Sequence, residues 1–342
     1  MMNYRHTDSE RIDPFSPSVK RYDGVSFKQL GNSGLQLPLL SLGLWHNFGD
    51  VDDLIEGRKI LRMAFNHGIT HFDLANNYGP PYGAAETNFG KIFKADFRPF
   101  RDELIISSKA GYDMWDGPYG NGGSRKYLMA SLDQSLRRLG LEYVDIFYHH
   151  RPDPYTPMEE TMLTLDHIVR QGKALYVGIS NYDDAQMVQA YKFLSELGTP
   201  FVVNQVKYSM LNRWIEKAVL QKADDLGLGL VAFSPLAEGL LTDKYLKGIP
   251  EKSRASKKWG HLQQESLTPK LQNQLKQLND MALKRGQSLA QLALVWILRN
   301  PQITSVLIGT SSVKQLQDNL SSLENKQLSS DEIKQIDELL KS

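Results

Sequence analysis

Short apolar runs alternate with amphipathic stretches along most of this 342-residue chain. The apolar runs are rich in Val, Ile, Leu and Phe, as is typical of strands buried on both faces of a sheet. Eight of them predict strands, at residues 39–45, 69–75, 103–110, 143–150, 174–180, 201–208, 229–235 and 304–310. The intervening stretches have helical spacing, as in the apolar stripe Leu128, Leu132, Leu136 and Leu139. The pattern therefore predicts repeated strand–helix units.

Eight such units in one chain of this length predict an α/β fold, a (β/α)8 TIM barrel. A doubly wound sheet is the alternative, but no G-x-G-x-x-G turn follows the first strand. Residues 25–40 form two short alternating runs around "GNSG", which indicates a β-hairpin closing the bottom of the barrel. We expect residues 1–24 to be an N-terminal extension and residues 25–342 a single barrel domain. Two long connections, at 111–125 and from Ala237 to about Lys270, are candidates for functional loops.

Composition narrows the classes of partner. The formal net charge is only +1, which gives no reason to expect nucleic acid or an anionic membrane surface as a partner. The chain has no cysteine, so disulfides, thiolate catalysis and Cys-ligated metals are excluded. The N-terminus has no apolar signal region, and no run approaches the ~20 apolar residues of a membrane span. We therefore expect a cytoplasmic protein with a small-molecule partner.

Polar residues stand at the ends of most predicted strands. In a (β/α)8 barrel the active site lies at the C-terminal ends of the strands. The residues at those ends here are Asp73, Lys109, His149, His150, Ser180, Asn181, Gln205, Ser234, Thr310 and Ser311. Their joint occurrence on so many strands predicts a site at this end of the barrel.

Asp73 and Lys109 end neighbouring predicted strands, so an ion pair would satisfy two buried charges. The ammonium group beside Tyr78 would lower the pKa of the phenol and make it a general acid near neutral pH. A neutral histidine N–H would position the substrate oxygen. His149 and His150 are both candidates, because side chains alternate along a strand and only one can point into the mouth.

Two other interpretations of these residues, in which Tyr78 is not a general acid, stay open at this point. Asp73 and Lys109 could form an ion pair that only stabilises the barrel, with Tyr78 and the histidines serving as packing residues. A metal-dependent hydrolase is a further alternative, because His149, His150 and Asp73 are possible ligands. Lys109 between them in strand order makes a cation site implausible, so we expect no metal.

The ordered blocks "FDLANNYG", "SSKAGY", "YVDIFYHHRPD", "GKALYVGISN" and "VAFSPLAEGLLTDKY" resemble the aldo-keto reductase superfamily from about residue 25 to the C-terminus. Within it, "NNYGPPYGAAE" and "TPMEET" resemble the branch that holds potassium-channel β subunits and bacterial L-glyceraldehyde 3-phosphate reductases. The resemblance implies a barrel that binds NADP(H) in an extended pose and transfers a hydride from nicotinamide to a carbonyl. It places the catalytic set on Asp73, Tyr78, Lys109 and His150, the second histidine of the pair.

The resemblance also implies the residues that hold the cofactor and the substrate. Those for the nicotinamide are Ser180, Asn181, Gln205 and Phe233; those along the pyrophosphate are Ser234, Leu236, Gly239 and Lys244; those at the adenosine end are Gly309, Ser311, Gln315, Asp318 and Asn319. Trp45, Tyr78 and His150 are the substrate candidates. Many NADPH-using relatives have an arginine in the last block for the 2′-phosphate, whereas this chain has only Lys314.

The resemblance implies NADPH-dependent reduction of small aldehydes or ketoaldehydes, such as L-glyceraldehyde 3-phosphate or methylglyoxal. A nucleotide-sensing regulatory subunit, like the channel β subunits, is the alternative. Channel β subunits typically have Asn at the position of His150, so the histidine favours a working reductase. Relatives form assemblies of several sizes, so a homo-oligomer stays open.

Overall fold

The computed structural model describes residues 14–245 and 268–341. Within these residues, eight parallel strands close into a barrel in which neighbours follow chain order and the last strand pairs with the first. The barrel strands are β3 (Leu40–Gly43), β4 (His71–Asp73), β5 (Ile105–Ala110), β6 (Val144–His149), β7 (Ala174–Ser180), β8 (Phe201–Lys207), β9 (Gly229–Phe233) and β10 (Ile303–Ile308). Seven lie within a predicted apolar run, and β10 begins one residue before its run. The predicted (β/α)8 barrel is confirmed.

Helices surround the barrel and bury their apolar faces on the strands or on neighbouring helices. They are α1 (Leu54–Asn66), α2 (Ala84–Ile92), α3 (Arg125–Leu139), α4 (Met158–Arg170), α5 (Asp184–Glu196), α6 (Val219–Asp225), α7 (Pro269–Lys284), α8 (Leu289–Leu298), α9 (Val313–Ser321) and α10 (Ser330–Lys341). The predicted leucine stripe is the buried face of α3. Side chains cap several helices; α8 begins with a capping box of Ser288 and Gln291.

The predicted hairpin is also present. Strands β1 (Phe27–Gln29) and β2 (Gln36–Pro38) pair antiparallel. Leu30 and Leu37 pack with Ile146, Val203 and Val231 of the barrel interior, so the hairpin closes one end of the barrel. The opposite end, where the strands terminate, is the end that remains for a site.

Two sequence expectations fall partly outside the described residues. Of the proposed N-terminal extension, residues 1–13 lie outside them, while residues 14–24 pack on the outer surface, where the Phe15 ring contacts the Phe97 ring at 5.2 Å and Arg21 pairs with Glu103. Residues 246–267 of the second long connection also lie outside them. Among the described residues, no helix is both long enough and apolar enough to cross a membrane.

Candidate active site

Asp73 and Lys109 form an ion pair at the C-terminal ends of the adjacent strands β4 and β5. Both side chains are almost completely removed from solvent. Asp73 Oδ1 accepts hydrogen bonds from Ser107 Oγ at 2.7 Å and Gln205 Nε2 at 3.1 Å. Lys109 Nζ also donates to the carbonyl oxygen of Leu74 at 2.7 Å. The predicted ion pair is therefore present, with the additional hydrogen bonds that a buried pair needs to offset desolvation.

Tyr78 lies in the loop after β4, with its hydroxyl oxygen 3.4 Å from Lys109 Nζ. Burial first, then the negative charge of Asp73, raises the pKa of Tyr78 well above its usual value near 10. The net pKa is therefore raised and not, as the sequence had predicted, lowered, because burial and the charge of Asp73 dominate over the neighbouring ammonium. Tyr78 therefore keeps its proton at neutral pH, which is the state that a general acid requires.

The structure separates the two neighbouring histidines. The His150 ring lies at the barrel mouth, 5.9 Å from the Tyr78 ring and 4.7 Å from the Tyr112 ring. His149 has the other orientation, with Nδ1 2.6 Å from the Tyr182 hydroxyl, and a Cβ at Gly123 would lie 2.9 Å from its Nε2. His150 is therefore the histidine beside Tyr78, as the resemblance implied.

His150 is a neutral imidazole at physiological pH. Burial, followed by the positive charge of Lys109, lowers the pKa of His150 well below its usual value of about 6.5. Its Nδ1 atom is buried and has no hydrogen-bond partner within the described chain. A neutral ring retains one N–H, so His150 can donate a hydrogen bond to a substrate oxygen.

A cavity of about 650 Å³ extends from this cluster to α9. It begins at Asp73, Tyr78 and Gln205 and reaches Gln315, Asp318 and Asn319. Further predicted cofactor residues along it are Phe233, Ser234, Leu236, Gly239, Lys244, Gly309 and Ser311. Residues contributed by distant parts of the sequence therefore line one continuous cavity.

Ser180 and Asn181 are the two predicted cofactor residues that do not line this cavity. They stand at the end of β7, where Asn181 Nδ2 lies 3.1 Å from Ser180 Oγ and 3.4 Å from the carbonyl oxygen of His150. Their position is thus next to the catalytic candidate His150, at the correct end of the barrel.

The substrate candidate Trp45 lines the cavity, and its ring lies 6.2 Å from that of Tyr78. Two other residues of the loops at the barrel mouth contact neighbouring side chains instead. Trp115 packs on the ring of Tyr127 at 5.1 Å. Arg151 donates to the Gly111 carbonyl and stacks over the Tyr112 ring at 4.2 Å. Trp45 and Tyr78 are therefore the aromatic substrate candidates that line the cavity.

Sequence reasoning missed several cavity residues. They include His46, Asn47, Glu238, Thr242, Ser288 and Ala290. His46 and Asn47 come directly after the first predicted apolar run, 39–45, so the rule that led to Asp73 would have found them. Ser288 and Ala290 come from the beginning of α8, and no strand-end signal marks that position.

The residues present fit an extended dinucleotide. The volume lies within the usual range for ligand pockets. Lys244 and Lys314 both line the cavity, so their ammonium groups are placed to meet phosphate groups. His150, with its buried Nδ1 atom, and the hydroxyl of Tyr78, whose pKa is raised, lie at the other end, where a carbonyl group would react.

Residues 39–341 match the family model described as the Aldo/keto reductase family. The chain belongs to the aldo/keto reductase family. Membership makes this protein an oxidoreductase, and the family model covers every strand of the barrel together with the tyrosine, lysine, aspartate and histidine of the mouth.

Individual relatives of this aldo/keto reductase are similar over nearly their whole lengths. The L-glyceraldehyde 3-phosphate reductases of Escherichia coli O157:H7 and of Escherichia coli strain K12 are each 55% identical over 325 residues, which is 93% of this chain and 93% of the relative. A probable voltage-gated potassium channel subunit beta of Arabidopsis thaliana is 36% identical over 306 residues, 88% of this chain and 92% of the relative. The similarity to both groups agrees with the branch indicated by the sequence blocks.

The metal-hydrolase alternative gains no support from the geometry. Across residues 14–245 and 268–341, no group of three or more His, Asp or Glu side chains is arranged to hold a metal ion. Asp73 is instead committed to Lys109, and the two histidines point to different sides of β6.

Proposed function

We propose that this aldo/keto reductase uses NADPH to reduce small aldehydes and ketoaldehydes, with L-glyceraldehyde 3-phosphate and methylglyoxal as the first substrates to test. The observation that carries this proposal is the protonated Tyr78 beside the Asp73–Lys109 pair, at one end of a cavity of about 650 Å³ that reaches α9. The 55% identity to L-glyceraldehyde 3-phosphate reductases supports the triose phosphate as a substrate.

In the proposed mechanism Tyr78 donates its proton to the carbonyl oxygen of the substrate. His150, as a neutral imidazole, donates a hydrogen bond that orients the same oxygen. Lys109 lies 3.4 Å from the Tyr78 hydroxyl and stabilises the phenolate that remains after proton transfer, while Asp73 holds the ammonium in place. Reduced nicotinamide, when bound, supplies the hydride that adds to the carbonyl carbon.

The cofactor residues have proposed roles in the same scheme. Gln205, together with Ser180 and Asn181, would hold the nicotinamide carboxamide, and Phe233 would stack on the ring. Lys244 would face the pyrophosphate. Lys314, at the adenosine end, would serve as a point charge for the 2′-phosphate of NADPH, since lysine lacks the two-pronged geometry of arginine.

A nucleotide titration followed by aldehyde addition tests the proposal. NADPH fluorescence is followed with wild type, Tyr78→Phe and Tyr82→Phe, the last being a matched control because Tyr82 is 58% exposed in the same loop. We expect all three proteins to bind NADPH. Wild type and Tyr82→Phe should oxidise it on addition of aldehyde, and Tyr78→Phe should be slower by roughly 10²- to 10⁴-fold, the usual contribution of a general acid.

The results also separate the alternative function. Nucleotide binding without turnover of any aldehyde by wild type would favour a nucleotide-sensing subunit, in line with the similarity to a channel β subunit. Equal turnover by wild type and Tyr78→Phe would show that another group supplies the proton.

A further inference from the structure

The barrel interior below Asp73 has a polar side that the proposed mechanism does not use. His71 lies two residues before Asp73 on β4, so both side chains point into the barrel. Ser41 and Ser107 are on β3 and β5, the two strands that flank β4, and Ser305 is on β10, which pairs with β3. All four side chains, including that of His71, are completely buried. Such a cluster of buried polar groups requires that every hydrogen bond be assigned.

The contacts of Ser107 with Asp73 and His71 determine where one proton of the His71 ring lies. Ser107 Oγ lies 2.7 Å from Asp73 Oδ1 and 3.0 Å from His71 Nε2. A carboxylate only accepts, so the single hydroxyl proton of Ser107 goes to Asp73. The contact with His71 then requires a proton on Nε2. The hydrogen bonds therefore select the Nε2–H tautomer of His71.

The other half of the cluster accommodates that tautomer. His71 Nδ1 lies 2.9 Å from Ser41 Oγ, Ser41 Oγ lies 2.6 Å from Ser305 Oγ, and Ser305 Oγ lies 2.6 Å from the carbonyl oxygen of Pro38. If both ring nitrogens were protonated, each of these three contacts would contain one proton, and so would the two contacts that Ser107 makes with Asp73 and His71. With one ring proton, on Nε2, Ser41 donates to Nδ1 and one contact near Pro38 has no proton.

Burial decides between these two states. Desolvation lowers the pKa of His71 to about 4; the charge of Asp73 opposes this shift and that of Lys109 adds to it. Asp73 and Lys109 are the ionisable groups whose charges reach the ring. His71 is therefore neutral at physiological pH. The contact without a proton is then either that between Ser41 and Ser305 or that between Ser305 and Pro38. The hydrogen bonds from His71 to Ser107 and from Ser107 to Asp73 are both made.

We propose that His71 is a positioning residue of the reductase, acting on Asp73 through Ser107. By occupying a lone pair of Ser107, the Nε2–H group directs the serine proton to Asp73 Oδ1. Gln205 supplies the second donor to the same oxygen, at 3.1 Å. The other carboxylate oxygen is then left to Lys109, which lies beside Tyr78. This inference rests on the proposed function, since it assigns a role within the same reaction.

Loss of the His71 donor has a defined consequence for Tyr78. Ser107 could then turn its proton away, and the charge of Asp73 would be less well neutralised. The charge of Asp73 raises the pKa of Tyr78. The phenol would become a weaker acid, and reduction would be slower. A change that only loosened packing would lower stability without altering the acidity of Tyr78.

Three substitutions of His71 distinguish these cases. His71→Gln places an amide N–H near the position of Nε2, His71→Asn reaches only the position of Nδ1, and His71→Leu offers no donor. We expect kcat to fall about ten-fold in His71→Leu and His71→Asn, the scale of one hydrogen bond to a charged group. In His71→Gln it should return to within about three-fold of wild type. The alkaline limb of the rate profile should move to higher pH in His71→Leu.

Ser305→Ala is the matched control, because it removes contacts at the hairpin end and leaves Ser107 and Asp73 untouched. It should lower the melting temperature and leave kcat and the pH profile unchanged. The proposal would be overturned if His71→Leu lost only stability, or if His71→Asn restored activity as well as His71→Gln.

A measurement on the cofactor-free protein makes the inference independent of turnover. In ¹⁵N-histidine NMR at neutral pH, the signals of His71 are identified by their absence from His71→Gln. We expect the Nε2–H tautomer. A ring protonated on Nδ1, or on both nitrogens, would overturn the assignment. Should wild type reduce no aldehyde while His71 still shows the Nε2–H tautomer, the proposed function would fail and the hydrogen-bond assignment would stand.

Discussion

Substitution of Lys109 by Met removes the cation from the most deeply buried ion pair of the barrel mouth. Both side chains of the pair are at most 2% exposed. Methionine has a similar length and no charge, so the main effect is electrostatic. Asp73 would keep Ser107 and Gln205 as neutral donors but would lose its positive partner. The variant therefore measures what the ammonium contributes to a buried carboxylate.

The expected loss follows from the burial of the pair. Removing one partner of a buried ion pair costs about 3–5 kcal/mol, because the remaining charge has no compensation. A large domain loses about 2 °C in melting temperature for each kcal/mol, so the expected decrease is roughly 6–10 °C. In Asp73→Asn/Lys109→Met the charge is gone, and the asparagine oxygen still accepts from Ser107 and Gln205. The double variant should recover about 2 kcal/mol relative to the sum of the single losses.

Urea unfolding of wild type, both single variants and the double variant gives this coupling directly, provided that refolding is reversible. NADPH oxidation is measured on the same preparations, and activity should be lost in all three variants. If the single losses simply added up in the double variant, Asp73 and Lys109 would not compensate each other. The explanation that Asp73 is tolerated at the end of a buried strand because Lys109 compensates its charge would then be wrong.

Two further predictions concern pH and the cofactor. Because the pKa of Tyr78 is raised and that of His150 is lowered, both active forms persist through neutrality, so kcat/KM for reduction should be flat from about pH 6 to 9. Initial rates in buffers of constant ionic strength check this, and a decline centred near pH 6.5 would contradict a neutral His150. In fluorescence titrations, Lys314→Gln should weaken NADPH binding about ten-fold and NADH binding less than two-fold. The control Lys334→Gln, on the exposed side of α10, should change neither affinity. Equal losses for both nucleotides would place Lys314 away from the 2′-phosphate.

The sequence predicted the barrel and the Asp73–Lys109 pair for a common reason. Strands buried on both faces are marked by apolar, β-branched runs, and the end of each run shows which residue reaches the mouth. Asp73 and Lys109 end adjacent runs, so their contact follows from the topology alone. Gln205 reaches Asp73 from β8 across the barrel, and closure of the barrel brings it there.

The pKa of Tyr78 could not be predicted in the same way. Its sign depends on a competition among burial, an anion and a cation, and that competition is decided by differences of about an ångström. Lys109 is bound to Asp73 and lies only at the edge of hydrogen-bonding distance from Tyr78. A sequence gives the identities of these groups and not their separations. The choice between His149 and His150 had the same limit, since it required the phase of the side-chain alternation at the end of β6.

The polar side of the barrel interior was visible in the sequence but was not interpreted. Ser41, His71, Ser107 and Ser305 each stand two residues before a residue at the barrel mouth, on the four strands β3, β4, β5 and β10. A two-residue period of polar groups inside apolar runs indicates side chains that share the interior face. Closure of the barrel makes β10 the neighbour of β3, so the four positions form one continuous layer. The charged pair at the mouth is therefore supported from inside the barrel, and substitution of His71 in this layer should affect Tyr78 without touching the cavity.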